Sequence, residues 1–215
     1  MRFPEAYFQR LDETPDEDFY NIPRKVVHLD DGALAATSQI YGQLLPPNGR
    51  ILDLMSSWRS HLPAHYKAKR VTGLGMNAAE MADNPQLDDF VVHNLNVAPQ
   101  LPFDNAVFDG IICTVSIQYL TRPIAVFSDL YRVLKPNGIA IITFSNRCFP
   151  TKAISVWQTA SMAQRAALVA SYFEAADFDD INAEDRSPKP HHHLFSRASS
   201  DPLIAVWGYR PPFDR

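Results

Sequence analysis

Five short strand-like runs, each leading into a largely polar or small segment, constrain what this chain can fold into. They are Ile51–Met55, Arg70–Gly75, Asp89–Leu95 with Phe90, Val91 and Val92 at its heart, Val107–Thr114 and Ile139–Ser145. Short apolar runs bounded by turn residues fit strands of a parallel sheet. Helix signals lie between or beside them. Asp30 or Asp31 can cap a helix through Leu45, with Leu34, Tyr41 and Leu45 on one face and Thr37, Ile40 and Leu44 beside them. Thr121 can cap another, in which Ile124, Phe127, Tyr131 and Leu134 share a face. The Ala- and Leu-rich stretch Ala163–Ala176 reads as a third. Phe178–Asp185 and Pro202–Tyr209 have no helix between them, so they pair as an antiparallel hairpin. The alternation predicts an α/β fold with helices on both faces of the sheet.

At 215 residues, with 46% hydrophobic and 20% charged residues, the chain can bury a core without disulfide or metal staples. A net charge of -4 argues against a nucleic-acid backbone as partner, because phosphate neutralisation needs clustered Lys and Arg. No apolar run is long enough to span a membrane, and Met1–Glu5 opens no signal core. Cys113 in its apolar run reads as a core residue, and two isolated cysteines make no disulfide framework. A cytoplasmic protein is expected. His191-His192-His193 reads as a solvated loop, and no metal is expected. Residues 1–30, rich in Pro, acids and the aromatics Phe3, Tyr7, Phe8, Phe19 and Tyr20, read as an arm or lid on a domain of residues 31–215.

In an open parallel sheet, ligands bind beyond the carboxyl ends of the strands. Here those ends are Asp53–Trp58, Gly75–Asn77, Asn94–Asn96, Thr114–Tyr119 and Ser145–Cys148. Their polarity after apolar strands marks a site. Candidates for acid–base work there are His61, Tyr119, Asn146 and Cys148, with His28 reaching over from the arm. Arg147 is a candidate contact for an anionic substrate.

Leu101-Pro102-Phe103 with Phe108-Asp109, followed by Arg132-Val133-Leu134-Lys135-Pro136-Asn137-Gly138, resembles the type 11 group of class I S-adenosylmethionine-dependent methyltransferases. The resemblance covers roughly Gly49 to Arg210. It implies a Rossmann-like seven-stranded mixed sheet of order 3-2-1-4-5-7-6 with strand 7 antiparallel. It also implies S-adenosyl-L-methionine as cofactor and a small-molecule methyl acceptor. By position, the cofactor contacts would be Asp53, Met55, Ser56, Ser57, Gly75, Met76, Asn77, Asn94, Leu95, Thr114 and Ser116.

The chain departs from that pattern at its cofactor motifs. Met55, Ser57, Trp58 and Arg59 occupy a turn the family builds from glycines. Gly75 stands where an acid normally holds the ribose, and Asn94 where an Asp reaches the adenine. Asn77 is near enough in sequence to replace part of the lost acid, and, if the ribose lies at Gly75, restoring the acid as Gly75→Asp is expected to tighten binding. The alternative function is a catalytically inactive domain of this fold that binds a ligand or protein. Met55 and Trp58 pointing into the pocket would favour it. A nicotinamide-dependent enzyme is a weaker reading, since no Gly-x-Gly-x-x-Gly follows the first strand.

Overall fold

The computed structural model describes residues 3–189 and 200–212. His191–His193 lie outside the described residues. The helices are α1 (Asp16–Tyr20), α2 (Asp31–Leu44), α3 (Ala78–Ala82), α4 (Pro123–Val133), α5 (Ser155–Thr159) and α6 (Met162–Ala175). The strands are β1 (Arg50–Leu54), β2 (Arg70–Gly75), β3 (Asp89–Val92), β4 (Phe108–Thr114), β5 (Leu134–Phe144), β6 (Asp179–Asp185) and β7 (Ile204–Tyr209). They form one sheet of order β3-β2-β1-β4-β5-β7-β6. β1 to β5 pair in parallel, and β7 runs antiparallel to both β5 and β6.

Successive strand residues point to opposite faces, and that alternation divides the core. Leu52, Leu54, Ile111, Cys113, Ala140 and Ile142 face a cluster completed by Val126, Phe127 and Leu130 of α4, Trp157 of α5, and Tyr172 and Phe173 of α6. Ile51, Ile112, Ile139 and Ile141 face the other way, onto Ile40 and Tyr41 of α2. Asp30 caps α2 by accepting the Ala33 N–H at 2.8 Å, and Ser161 and Gln164 form a capping box on α6.

Three local expectations change. Thr121 does not cap α4: its N–H and hydroxyl both bond Asn96 Oδ1, and Pro123 opens the helix instead. β3 ends at Val92, short of Leu95; it lies at the edge of the sheet, as the order 3-2-1-4-5-7-6 implies, and Phe90 and Val92 are 36% and 54% exposed. β5 begins at Leu134, running through the Lys135–Gly138 turn residues.

Residues 3–30 are tied down along their length, with Asp16, Glu17 and Tyr20 bonded to Asn96, Asn94 and Asn77 at the strand ends. Phe3 and Phe8 pack on Tyr172. Lys152 is completely buried, and its ammonium donates to Thr14 O at 2.7 Å with Asp12 and Asp16 at 3.3 and 3.5 Å. Asp16 also takes Arg10 at 2.7 Å and the Asn96 amide at 2.8 Å. Farther on, Asn77 Nδ2 donates to Tyr20 O at 2.8 Å, and Glu80 accepts the Arg24 N–H at 2.6 Å. No helix among the described residues is long and apolar enough to cross a membrane.

Removing a buried charge from such a cluster leaves its partners unsatisfied. Lys152→Met should therefore lower stability by about 3 kcal/mol, read as a shifted urea midpoint at constant m-value. Faster amide exchange in residues 10–20 should accompany it. Wild-type exchange in that segment would refute the strap.

Candidate functional site

The first turn sets the site. After β1, Met55 takes a left-handed conformation, φ 55°. Ser56 N–H then bonds Leu74 O at 2.8 Å, which folds the turn onto the end of β2. Gly75 makes this possible: a Cβ there would lie 2.2 Å from Ser56 O and 3.2 Å from Ser56 C. An acid at position 75 would collide with the turn, so the expectation that Gly75→Asp tightens binding is overturned.

The turn, the ends of β2, β3 and β4, and the arm enclose a cavity of about 160 Å³. A buried water needs roughly 10–15 Å³, so this space suits an organic ligand. Every residue from Asp53 to Ser116 named above as a cofactor contact borders it, as do His28, His61 and Tyr119. Asn146 and Cys148 do not. Tyr119 Oη accepts the Phe149 N–H at 2.8 Å, which brings Phe149 to the cavity in their place. Asn146 is exposed, and Arg147 is paired with Asp201 at 2.8 Å.

Several bordering groups are already committed. Ser56 Oγ donates to Asp53 Oδ2 at 2.6 Å, and Ser57 Oγ donates to Glu80 Oε2 at 2.6 Å. Asn77 caps α3 by accepting the Glu80 N–H at 3.0 Å, while its amide holds Tyr20 O. Asn94 accepts from Asn96 N and donates to Glu17. Thr114 shares its hydroxyl with Tyr41 at 2.6 Å.

Met55 and Trp58 both border the cavity. Met55 also packs on the main core. The Trp58 indole N–H is turned to Val26 O at 3.3 Å, with Arg59 over its ring. Met55, His61 and Val115 all hold positive φ beside the cavity, a strain costing roughly 1 kcal/mol or more at each.

Burial governs the electrostatics. Asp53 is 3% exposed with no ion pair among the described residues, and burial pushes its carboxyl up to about 6 against the pull of the Ser56 hydroxyl. Burial, with the Arg59 charge adding to it, lowers His61 to about 4. Burial also lowers His28. The Tyr119 hydroxyl is pushed up to about 12 by burial, so it stays protonated. The Tyr20 hydroxyl is buried at the cavity without a hydrogen-bond partner among the described residues.

Sequence reasoning missed Asp16, Tyr20, Arg24 and Glu80, which also border the cavity. Only Glu80 left a local signal. It stands three residues after Asn77, the spacing of an N-cap and its third helical residue.

Two outcomes follow from this geometry. Gly75→Asp should cost about 3 kcal/mol through the backbone clash, lowering Tm by roughly 6–12 °C in calorimetry. An unchanged Tm would refute the packed turn. Asp53 has a raised folded-state pKa, so its stabilising effect is present below pH about 4 and lost as pH rises through about 6. Asp53→Asn removes that loss. Relative to wild type it should gain up to about 3 kcal/mol between pH 4 and pH 7 in urea unfolding. A constant difference across that range would contradict the burial argument.

A family model described as a methyltransferase domain matches residues 57–142. Over 38 residues the chain is 45% identical to the biotin biosynthesis bifunctional protein BioHC of Teredinibacter turnerae, a segment spanning 18% of this chain and only 7% of that protein. A chain from the complex between the Haloferax volcanii Trm112 methyltransferase activator and a methyltransferase superposes with TM-score 0.64 at 14% identity, over 85% of this chain and 92% of that one. The [4+2]-cyclase SpnF superposes with TM-score 0.62 at 18% identity, over 88% and 89%. Haemonchus contortus phosphoethanolamine N-methyltransferase 2, in complex with S-adenosyl-L-methionine, does so with TM-score 0.58 at 15% identity, over 82% and 52%. At such identities a shared sheet is not shared chemistry, as a cyclase among the likenesses illustrates. The matched segment, residues 57–142, is similar to a methyltransferase domain, and the sheet has the fold of the S-adenosylmethionine-dependent methyltransferases on which it superposes.

Proposed function

We propose that this chain transfers a methyl group from S-adenosylmethionine to a small-molecule acceptor in the cavity above β1–β4. One observation carries the reading: polar strand ends, apolar walls and imidazoles meet in a single cavity at the carboxyl edge of the sheet. The donor set fits the cofactor. Leu74, Met76, Leu95 and Leu120 offer apolar surface for a purine, and the unpartnered Tyr20 hydroxyl awaits a polar group.

Bound there, the cofactor supplies an electrophilic methyl on a sulfonium. The chain's own task is to align the acceptor and exclude water. The arm serves as the lid, with Tyr20, Arg24, Val26 and His28 on the cavity and Phe149 on the acceptor side. Arg24 lies 4.1 Å from the Phe19 ring centroid, closing that side with a cation–aromatic contact. His61 is neutral at every pH above about 4. It accepts a hydrogen bond from an acceptor O–H or N–H and orients it; so weak a base does not retain the proton for long.

A second reading, binding without catalysis, draws on the first turn, which lies over the end of β2 where an acid would stand. Calorimetric titration with S-adenosylhomocysteine, followed by transfer of labelled methyl from S-adenosylmethionine into a small-molecule extract, separates the two. Binding together with transfer is the expected result. Binding without transfer selects the second reading, and no heat at millimolar ligand defeats the cofactor site itself. Once an acceptor is identified, His61→Ala should lower turnover roughly ten- to hundredfold with S-adenosylhomocysteine affinity unchanged. Because its pKa is about 4, His61 should give the wild-type rate no titration step between pH 6 and 8. Full turnover in the variant would remove His61 from the reaction.

A further inference from the structure

We infer, on the reading of the cavity as a cofactor site, that Glu80 of α3 is the carboxylate that receives the 2′,3′-diol of the bound nucleoside. The end of β2 cannot supply one, because any side chain at Gly75 meets the backbone of Ser56 at 2.2 Å. The neighbouring amides cannot stand in either. Asn77 spends its oxygen on the Glu80 N–H and its amide on Tyr20 O, and Asn94 is bonded at both ends to Asn96 and Glu17.

Three carboxylates border the cavity: Asp16, Asp53 and Glu80. Asp16 is 4% exposed and is held by Arg10, Asn96 and Lys152. Asp53 is sealed beneath the Ser56 hydroxyl. Glu80 is half-buried and, among the described residues, accepts one hydrogen bond on each oxygen, from Arg24 N–H on Oε1 and Ser57 Oγ on Oε2, both at 2.6 Å. An ionised carboxylate offers about four acceptor positions, so each Glu80 oxygen keeps one. A vicinal diol presents two O–H donors to match them.

The placement also has a local cause. Asn77 pins the Glu80 backbone, and Ser57 ties its carboxylate to the same turn that closes β2. The displacement of the turn that excludes an acid at position 75 therefore carries a hydroxyl to Glu80 and holds that acid at the cavity wall.

The test uses the full chain and three ligands: S-adenosylhomocysteine, adenosine and 2′,3′-dideoxyadenosine, the nucleosides measured by displacement of labelled S-adenosylhomocysteine. Wild type should prefer adenosine to the dideoxy nucleoside by roughly ten- to hundredfold, the span of charge-assisted hydrogen bonds. Glu80→Gln should weaken S-adenosylhomocysteine and adenosine by roughly tenfold or more and leave the dideoxy nucleoside within about twofold. A purely structural Glu80 would weaken all three alike, and that result overturns the inference, as does a variant with unchanged affinities. The wild-type comparison stands even if the variant misfolds, since equal affinity for the two nucleosides excludes a diol contact. Failure of S-adenosylhomocysteine to bind wild type would overturn the cofactor reading and this assignment with it.

Discussion

The hydrogen bond from Ser56 N–H to Leu74 O organises this molecule's working end. It draws the first turn onto β2 and requires position 75 to lack a side chain. It leaves Met55 in a left-handed conformation that glycine would adopt at less cost. It also brings Ser56 to Asp53 and Ser57 to Glu80, so two carboxylates are engaged by hydroxyls of one turn. The strain at Met55, His61 and Val115 persists because neighbouring contacts over-determine it. Val115, for example, is held by its N–H on Thr143 O at 2.8 Å.

The segments that make the chain recognisable work at the other edge of the sheet. Arg132 binds Asp129 and donates to Leu101 O, Phe103 O and Asn105 Oδ1. Asp129 in turn accepts the Leu101 N–H at 2.6 Å. Lys135 pairs with Asp109, whose carboxylate also takes the Arg50 N–H. These bonds lock the entry to β4 and β5 and align β1 with them. The two segments thus specify the sheet, and they can be intact while the first turn at the carboxyl edge departs from the glycine pattern it resembles.

The arm adds what the sheet lacks. Its acids and aromatics meet strand-end amides and the buried Lys152, and the cavity is closed on that side by Tyr20, Arg24 and His28. Closure lowers the local dielectric, which is why Asp53 and the two histidines depart from their ordinary protonation behaviour.

The strands, the main helices and the terminal hairpin were legible from sequence because their signals are local. Periodicity, caps and turn residues act over a few positions. The strand-end site was legible for the same reason, since each polar cluster directly follows its apolar run. The early end of β3 was not, because its pairing with β2 stops at Val92 while Leu95 is buried in the core beyond it. Thr121 was misjudged as a cap because Asn96, 25 residues away, competes for it. By itself the sequence determined the order of elements, the parallel sheet with its hairpin and the edge at which the polar strand ends gather around the cavity. Only the tertiary structure decided that Gly75 makes room for a backbone carbonyl, that Glu80 stands at the cavity, and that Lys152 holds Thr14 across 138 residues. Such contacts join segments distant in sequence, and only the folded chain brings them within hydrogen-bonding reach.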